Sequence, residues 1–179
     1  MNDTSLKALE KQVIAIAQEV GELIKEKRKT FNEEQLEEKS AHNLVTAVDK
    51  AAEAFLLDKL SKAFPGSGFM GEEGGDISSE NGYRWIVDPI DGTSNFVHDL
   101  PLYSTSIALE KDNEIVLGVI NDIPHNTVYH AVKGMGAYAN GEQISVSGTK
   151  TVYHSLFVTG FPYEESELDR FLGIYKHLL

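Results

Sequence analysis

The sequence predicts an α+β fold in which helices pack on one face of a largely antiparallel sheet. Two stretches with helical periodicity occupy the first 64 residues, and a series of short strand patterns follows between residues 69 and 144. Tight turns join most of these strands, and such hairpins favour antiparallel pairing. The chain has 179 residues, 41% of them hydrophobic, which is enough for one core and the start of a second.

Two amphipathic helices open the chain. The first is predicted over residues 6–27, where apolar side chains recur in steps of three and four, with Asp3 or Thr4 as its N-cap. The charged stretch 28–42 is expected to be a loop. The second helix is predicted from Thr46 to Phe64, because Pro65 and Gly66 follow directly and end it.

The strand patterns come next. They lie at residues 69–70, 83–88, 104–110, 114–121, 127–132 and 137–144, the last of them interrupted by the turn Asn140-Gly141. A further strand is predicted at 156–159 and a helix at 166–179. We therefore expect residues 1–150 to form an N-terminal α+β domain that binds metal and phosphate, and residues 151–179 to begin a truncated C-terminal α/β domain.

The charge of the chain is concentrated. It has 28 acidic and 16 basic residues, a net charge of −12. Residues 70–99 alone have a net charge of −6, half of that total. Such a balance argues against binding to nucleic acid or to an anionic membrane. With no cysteine, disulfides, thiolate zinc sites and cysteine nucleophiles are excluded. No secretory signal or membrane span is visible, so a cytoplasmic protein is expected.

The most informative segment is Trp85–Phe96. A strand is expected to deliver Asp88 to its end, where Pro89 stops ladder pairing and starts a turn. Asp91 follows three residues later, so both carboxylates can converge on one cation. The Gly92–Ser94 segment offers consecutive backbone N–H groups to an anion. The pattern suits metal-assisted phosphoryl chemistry, although similar Asp-Gly clusters also occur in ordinary turns.

Two weaker acidic motifs accompany it. The loop Gly71-Glu72-Glu73 is typical of a solvated surface, but it would bring a glutamate to Asp88 if the preceding strand lies beside the one at 83–88. Asp49 is explained equally well as an acidic residue at a helix N-terminus. The six histidines lack metal-ligand spacing and are interpreted as structural or surface residues.

Three segments in this order resemble the inositol monophosphatase family, within the magnesium-dependent, lithium-sensitive phosphatase superfamily. They are Leu44–Asp49, Gly71–Glu73 and Asp88–Phe96. The resemblance extends over nearly the whole chain and implies the first half of a layered αβαβα sandwich. It also implies Mg²⁺ as cofactor and a small phosphorylated substrate, such as inositol 1-phosphate, hydrolysed by an activated water. Homodimers are common in this family.

The resemblance further implies roles for individual residues. Glu72, Asp88 and the carbonyl oxygen of Ile90 would hold a first Mg²⁺, and Asp88 would bridge to a second that Asp91 also binds.

The attacking water would be oriented by Glu72 and Thr93, with Asp49 hydrogen-bonded behind Thr93. The backbone amides of Gly92, Thr93 and Ser94 would bind the phosphate.

The sequence departs from the family after residue 179, where members continue into a second domain. A Trp-Asp motif there completes the second metal site, whereas Trp85 is the only tryptophan here and precedes Asp88. We therefore expect these 179 residues alone to bind the second metal weakly and to turn over little substrate. The alternatives are a 3′(2′),5′-bisphosphate nucleotidase or sugar bisphosphatase of the same superfamily, or a non-catalytic metal-binding fragment.

Overall fold

The structure is a computed structural model that describes residues 2–31, 36–40, 43–74, 76–160, 162 and 165–178. Four α-helices and ten strands lie in these residues, besides short 3₁₀ turns at Val152–His154 and Glu165–Glu167. The helices are α1 (Asp3–Arg28), α2 (Ala47–Ala63), α3 (Thr93–Val97) and α4 (Leu168–Leu178). The strands are β1 (Leu36–Ser40), β2 (Asn43–Thr46), β3 (Gly68–Gly71), β4 (Asp76–Ile77), β5 (Tyr83–Asp91), β6 (Ser104–Lys111), β7 (Glu114–Asp122), β8 (Thr127–Val132), β9 (Ala137–Ala139) and β10 (Glu142–Ile144).

Helix α1 buries the apolar stripe that the sequence predicts, and Val13, Val20 and Ile24 are fully inaccessible. It begins earlier than expected. The side chain of Asn2 accepts a hydrogen bond from the Ser5 N–H at 2.9 Å, so Asn2 is the N-cap and the prediction of Asp3 or Thr4 is wrong. Asp3 and Thr4 cannot be the N-cap because both already lie within the first helical turn, which begins at Asp3.

Helix α2 has a capping box at its start. The Thr46 hydroxyl accepts from the N–H groups of Val48 and Asp49, and the Asp49 carboxylate accepts from the Thr46 N–H at 2.9 Å. At the other end Phe64 precedes the proline. The predicted helix from Thr46 to Phe64 is confirmed to within one residue at each end.

The main sheet has eight strands in the order β10-β9-β8-β7-β6-β5-β3-β4. Strand β3 runs parallel to β5, and the other neighbours are antiparallel. This confirms the predicted fold class and the strand patterns through residue 144. It also places the end of β3, and hence the Glu72 loop, beside the end of β5.

The core lies between the sheet and the two long helices. Helix α2 packs on β5, and α1 packs on β6, β7 and β8. Alternate residues of β5 point into this layer, and Trp85 is completely buried. Asn121 on β7 donates its amide to the Ala17 carbonyl of α1 at 2.7 Å, which fixes the helix to the sheet. A hydrogen bond between two buried groups contributes about 1 kcal/mol.

Two further expectations are wrong. Residues 36–40, predicted as part of a loop, form β1 and pair with β2, because backbone pairing with a neighbour compensates for a charged sequence of low strand propensity. Residues 32–35 and 41–42 of that stretch lie outside the described residues. The strand predicted at 156–159 is irregular and exposed, since no strand of the described residues pairs with it.

The last predicted helix is present as α4, preceded by the 3₁₀ turn at Glu165–Glu167, while Leu179 lies outside the described residues. The division of the chain at residue 150 stays a prediction. No helix in the described residues is both long and apolar enough to cross a bilayer.

Candidate functional site

The candidate site lies at the end of β5, where a β-bulge brings two aspartates together. Asp88 pairs with Ser106 of β6, and Asp91 pairs with Ser104, so three steps along β5 oppose two along β6. Residues three apart on a regular strand point to opposite faces. The extra residue in the bulge turns Asp88 and Asp91 to the same face of the sheet. Their partners on β6, Ser106 and Ser104, are two residues apart and therefore share one face.

Pro89 is the reason for the bulge. It has no N–H to donate, so the ladder is interrupted at Pro89 and Ile90 and resumes at Asp91. The Pro89 carbonyl instead accepts from the buried Thr105 hydroxyl at 2.8 Å. The expectation that the strand ends at Asp88 is therefore wrong: β5 continues to Asp91 through the bulge.

Helix α3 begins immediately after the second aspartate. Gly92 is its N-cap residue, with φ 93° in the left-handed region. A Cβ at this position would lie 2.8 Å from the Leu102 carbonyl oxygen, so the position requires glycine for both its conformation and its close approach. The backbone of Gly92, Thr93 and Ser94 thus forms the start of α3.

Thr93 joins this segment to α2. Its hydroxyl lies within hydrogen-bond distance of two oxygens and can donate to Asp49 Oδ1, at 3.0 Å, or to the Ile90 carbonyl, at 2.9 Å. Asp49 is buried, with 1% of its surface exposed. Asp49 therefore makes both contacts, since one carboxylate oxygen accepts from the Thr46 N–H at the helix start and the other accepts from Thr93.

The Glu72 loop follows β3 and reaches the same place. Burial, followed by the charge of Glu72, a hydrogen bond with Glu72 and the charges of Asp91 and Asp49, raises the pKa of Asp88 to about 8. The four carboxylates that the sequence picks out therefore share one region of negative potential.

The residues present fit a divalent cation. Within the described residues, Asp88 Oδ1 is one of two buried side-chain N or O atoms without a hydrogen-bond partner, the other being Trp85 Nε1. A buried carboxylate oxygen of that kind is costly unless a cation or a donor satisfies it. Among the residues that the structure describes, no group of three or more acidic or histidine side chains is arranged to hold a metal ion, so the fit rests on the buried Asp88 oxygen.

An open cavity of about 670 Å³ adjoins the site. Its lining includes Asp91, Gly92, Asn95, Asp122 and Tyr129. This volume falls in the range of small-molecule pockets.

Two of the described histidines contact acidic side chains. His130 packs on Tyr138 and contacts the buried Glu10 carboxylate of α1 at 2.9 Å, and His125 contacts Asp122 at 2.8 Å. These contacts agree with a structural or surface role. His42 and the side chain of His177 lie outside what the structure describes.

A family model described as the inositol monophosphatase family matches residues 5–176. The chain belongs to the inositol monophosphatase family. The fold class and the resemblance inferred from the sequence are both confirmed.

Relatives in this family are similar along most of the chain. "Nus factor SuhB" of Pseudomonas aeruginosa is 36% identical over 169 residues, which are 91% of this chain and 62% of that protein. "Fructose-1,6-bisphosphatase/inositol-1-monophosphatase" of Aquifex aeolicus is 34% identical over 157 residues, covering 87% of this chain and 60% of that one. The chain therefore spans about three-fifths of the length of these relatives.

A solved member of the family has the same architecture. The crystal structure of extragenic suppressor protein suhB from Bartonella henselae superposes with a TM-score of 0.89 at 31% identity. The match covers 96% of this chain and 66% of that one.

Sequence reasoning missed one acidic residue beside the site. Glu53 on α2 is buried, and its carboxylate accepts a hydrogen bond from the Glu73 N–H at 2.6 Å. The available signal was its spacing, because Glu53 follows Asp49 by four residues and so lies on the same helix face.

Proposed function

We propose that the protein is a Mg²⁺-dependent phosphomonoesterase that hydrolyses a small phosphorylated alcohol such as inositol 1-phosphate. The single observation that carries the proposal is the β5 bulge, which directs Asp88 and Asp91 to one face. The buried Asp88 oxygen without a hydrogen-bond donor supports it. Hard cations prefer such carboxylate oxygens.

Within this proposal, Glu72, Asp88 and the carbonyl of Ile90 would hold a first Mg²⁺, and Asp88 and Asp91 would hold a second. The clustering of Glu72 and Asp91 around Asp88, expressed in its raised pKa, supports this ligand set. Bound Mg²⁺ lowers the pKa of a coordinated water and neutralises charge on the leaving oxygen.

The chain's own residues orient the reactants. Thr93 and Glu72 position the attacking water, and Asp49 supports Thr93 through the 3.0 Å hydrogen bond. Since Asp49 is buried and already fixed by the Thr46 cap, it can hold the Thr93 hydroxyl in one orientation. The amides of Gly92, Thr93 and Ser94 bind the phosphate.

The substrate class is supported by the name of one relative. The Aquifex aeolicus protein is named for both fructose 1,6-bisphosphate and inositol 1-phosphate. That name supports a sugar bisphosphatase as an alternative within the superfamily. A 3′(2′),5′-bisphosphate nucleotidase is the other alternative that the sequence resemblance leaves open within the superfamily. A non-catalytic metal-binding fragment is the alternative outside it, because the chain covers three-fifths of its relatives.

Phosphate release separates these candidates. We expect inositol 1-phosphate to be hydrolysed only with Mg²⁺, and faster than fructose 1,6-bisphosphate or adenosine 3′,5′-bisphosphate. Asp91→Asn should reduce the rate by about 100-fold or more, since it removes several kcal/mol of charge stabilisation at about 1.4 kcal/mol per factor of ten. Asp58→Asn, an exposed aspartate paired with Lys62, is the matched control and should leave the rate unchanged.

Calorimetric Mg²⁺ binding without turnover would instead favour the non-catalytic alternative. Faster hydrolysis of one of the bisphosphates would move the assignment to that branch of the superfamily. A cytoplasmic location and a homodimer remain predictions from the sequence, as does the absence of nucleic-acid and membrane partners, which the net charge of −12 supports.

A further inference from the structure

The loop that carries Glu72 lies outside the ladder of the sheet. Strand β3 ends at Gly71, and residues 72–74 form a bend before the short strand β4. Glu72 is exposed, yet its carboxylate reaches the half-buried Asp88 closely enough to raise the pKa of that group. Some contact outside the ladder must therefore help to fix the loop's position.

Glu53 supplies such a contact. Its side chain is on α2, with only 7% of the residue exposed, and one carboxylate oxygen accepts the Glu73 N–H at 2.6 Å. A buried carboxylate that accepts a backbone N–H makes a short, charge-assisted hydrogen bond, which is stronger than a bond between neutral groups. The bond fixes the backbone next to Glu72.

The residue before the loop is shaped around the same carboxylate. A Cβ at Gly71 would overlap all three atoms of the Glu53 carboxyl group. Glycine at this position therefore lets the carboxylate lie directly against the end of β3. The fit involves Gly71 and Glu73, which flank Glu72 on either side.

Helix α2 thus holds two segments of the site with two carboxylates. Asp49 accepts from Thr93 in the segment after β5, and Glu53, one turn later, accepts from Glu73 in the segment after β3. Residues four apart on a helix lie on one face, about 5–6 Å apart. A single rigid helix can therefore set the separation of the two segments.

We infer that Glu53 is a positioning residue that holds the Glu72 loop against Asp88 and thereby sets the affinity of the site for Mg²⁺. The inference rests on the proposed function. Groups that orient metal ligands typically change metal affinity by 10- to 100-fold when they are removed.

Calorimetric titration with Mg²⁺ tests the inference without an activity assay. Glu53→Ala should weaken Mg²⁺ binding by roughly 10- to 100-fold. Glu53→Gln retains an acceptor oxygen and should restore most of the affinity. Asp58→Asn, on the exposed side of the same helix, is the control and should bind as the wild type does.

A double-mutant cycle tests the packing against Gly71. Gly71→Ala alone should displace the carboxyl group and weaken Mg²⁺ binding by about tenfold or more, and it serves equally if Glu53→Ala fails to fold. In the Glu53→Ala background, Gly71→Ala should weaken Mg²⁺ binding by less than about a further twofold, because the carboxyl group that the new methyl would overlap is gone.

Amide hydrogen exchange in EDTA gives a metal-free readout. The Glu73 amide should exchange at least about tenfold faster in Glu53→Ala than in the wild type, whereas the amides of β5 should keep their protection.

Two outcomes contradict the inference in different ways. If the wild type binds Mg²⁺ and Glu53→Ala binds it equally well, the inference fails while the proposed function stands. If the wild type binds no Mg²⁺, both fail together.

Discussion

Replacing Asp88 with asparagine should change the stability of the protein in opposite directions with and without Mg²⁺. The raised pKa of Asp88, about 8 against an ordinary value of 3.8, means that folding favours its protonated form. This contribution to stability is fully present below pH 3.8. It is lost as the pH rises through 8, so the metal-free protein should become less stable over that range.

The magnitude follows from the pKa. A rise of about four pKa units, at about 1.4 kcal/mol each, sets an upper limit near 6 kcal/mol on the stability that the metal-free protein loses when Asp88 ionises. Asp88 is only half-buried, and solvent screening reduces the effect to roughly 2–3 kcal/mol. For a domain of this length that corresponds to a change of about 5–10 °C in melting temperature. Because asparagine cannot ionise, the Asp88→Asn variant should not lose this stability as the pH rises.

The assay is thermal unfolding at pH 5 and pH 8.5, in EDTA and in excess Mg²⁺. In EDTA at pH 8.5 the variant should melt about 5–10 °C above the wild type, and the difference should shrink or vanish at pH 5. At a Mg²⁺ concentration 100 times the dissociation constant the wild type should gain about 2.7 kcal/mol, and the variant much less. In excess Mg²⁺ at pH 8.5, the melting temperature of the wild type should therefore equal or exceed that of Asp88→Asn.

The control is Asp58→Asn, whose exposed ion pair with Lys62 should contribute less than about 1 kcal/mol under every condition. The reasoning is refuted if the wild type in EDTA melts at the same temperature at pH 5 and pH 8.5. It is also refuted if Mg²⁺ stabilises Asp88→Asn as much as the wild type.

Three further substitutions test single contacts. Glu72→Gln should lower phosphate release by about 100-fold while leaving the metal-free melting temperature unchanged or higher, because it removes one charge from a repulsive cluster; a large drop in that temperature would count against the assignment. Gly92→Ala should lower the free energy of unfolding, measured in urea, by roughly 1–3 kcal/mol more than Gly134→Ala does. Both glycines have positive φ, but only a Cβ at Gly92 would meet a backbone oxygen at 2.8 Å. Equal losses of stability in the two variants would refute the packing argument. Thr93→Val keeps the shape but loses the hydrogen bond to Asp49, so steady-state kinetics should give a lower kcat with KM nearly unchanged; a change in KM alone would contradict the water-orienting role.

The sequence was sufficient for most of the fold because periodicity and turn residues determine it locally. Thr46 and Pro65 bracket α2, and Asn140-Gly141 joins β9 to β10. Strand β1 could not be predicted, since its charged residues have no strand pattern and its structure depends on pairing with β2. The segment 156–159 has the opposite character: its residues favour a strand, but the described residues provide no partner.

The register of β5 agrees with the expected approach of Asp88 and Asp91, but by a different route, and their binding of one cation stays a prediction. Pro89 was expected to end the strand, whereas the pairing skips it and resumes at Asp91. Whether a chain turns or bulges at a proline depends on the register of the neighbouring strand, and that register is a tertiary property.

Glu53 was missed because an acidic residue inside a helical pattern is usually solvent-exposed. Its burial depends on the close approach of β3 at Gly71, which involves residues distant in sequence. The i, i+4 relation to Asp49 was visible in the sequence, but the partner of each carboxylate was not.

Anomalous scattering from crystals soaked in Mn²⁺, a substitute for Mg²⁺, tests the central claim most directly. We predict a strong peak within about 2.5 Å of oxygens from both Glu72 and Asp88. A second, weaker peak should lie about 3.5–4 Å away between Asp88 and Asp91. The account is contradicted if no peak lies within ligand distance of Asp88, or if the metal binds only elsewhere on the chain.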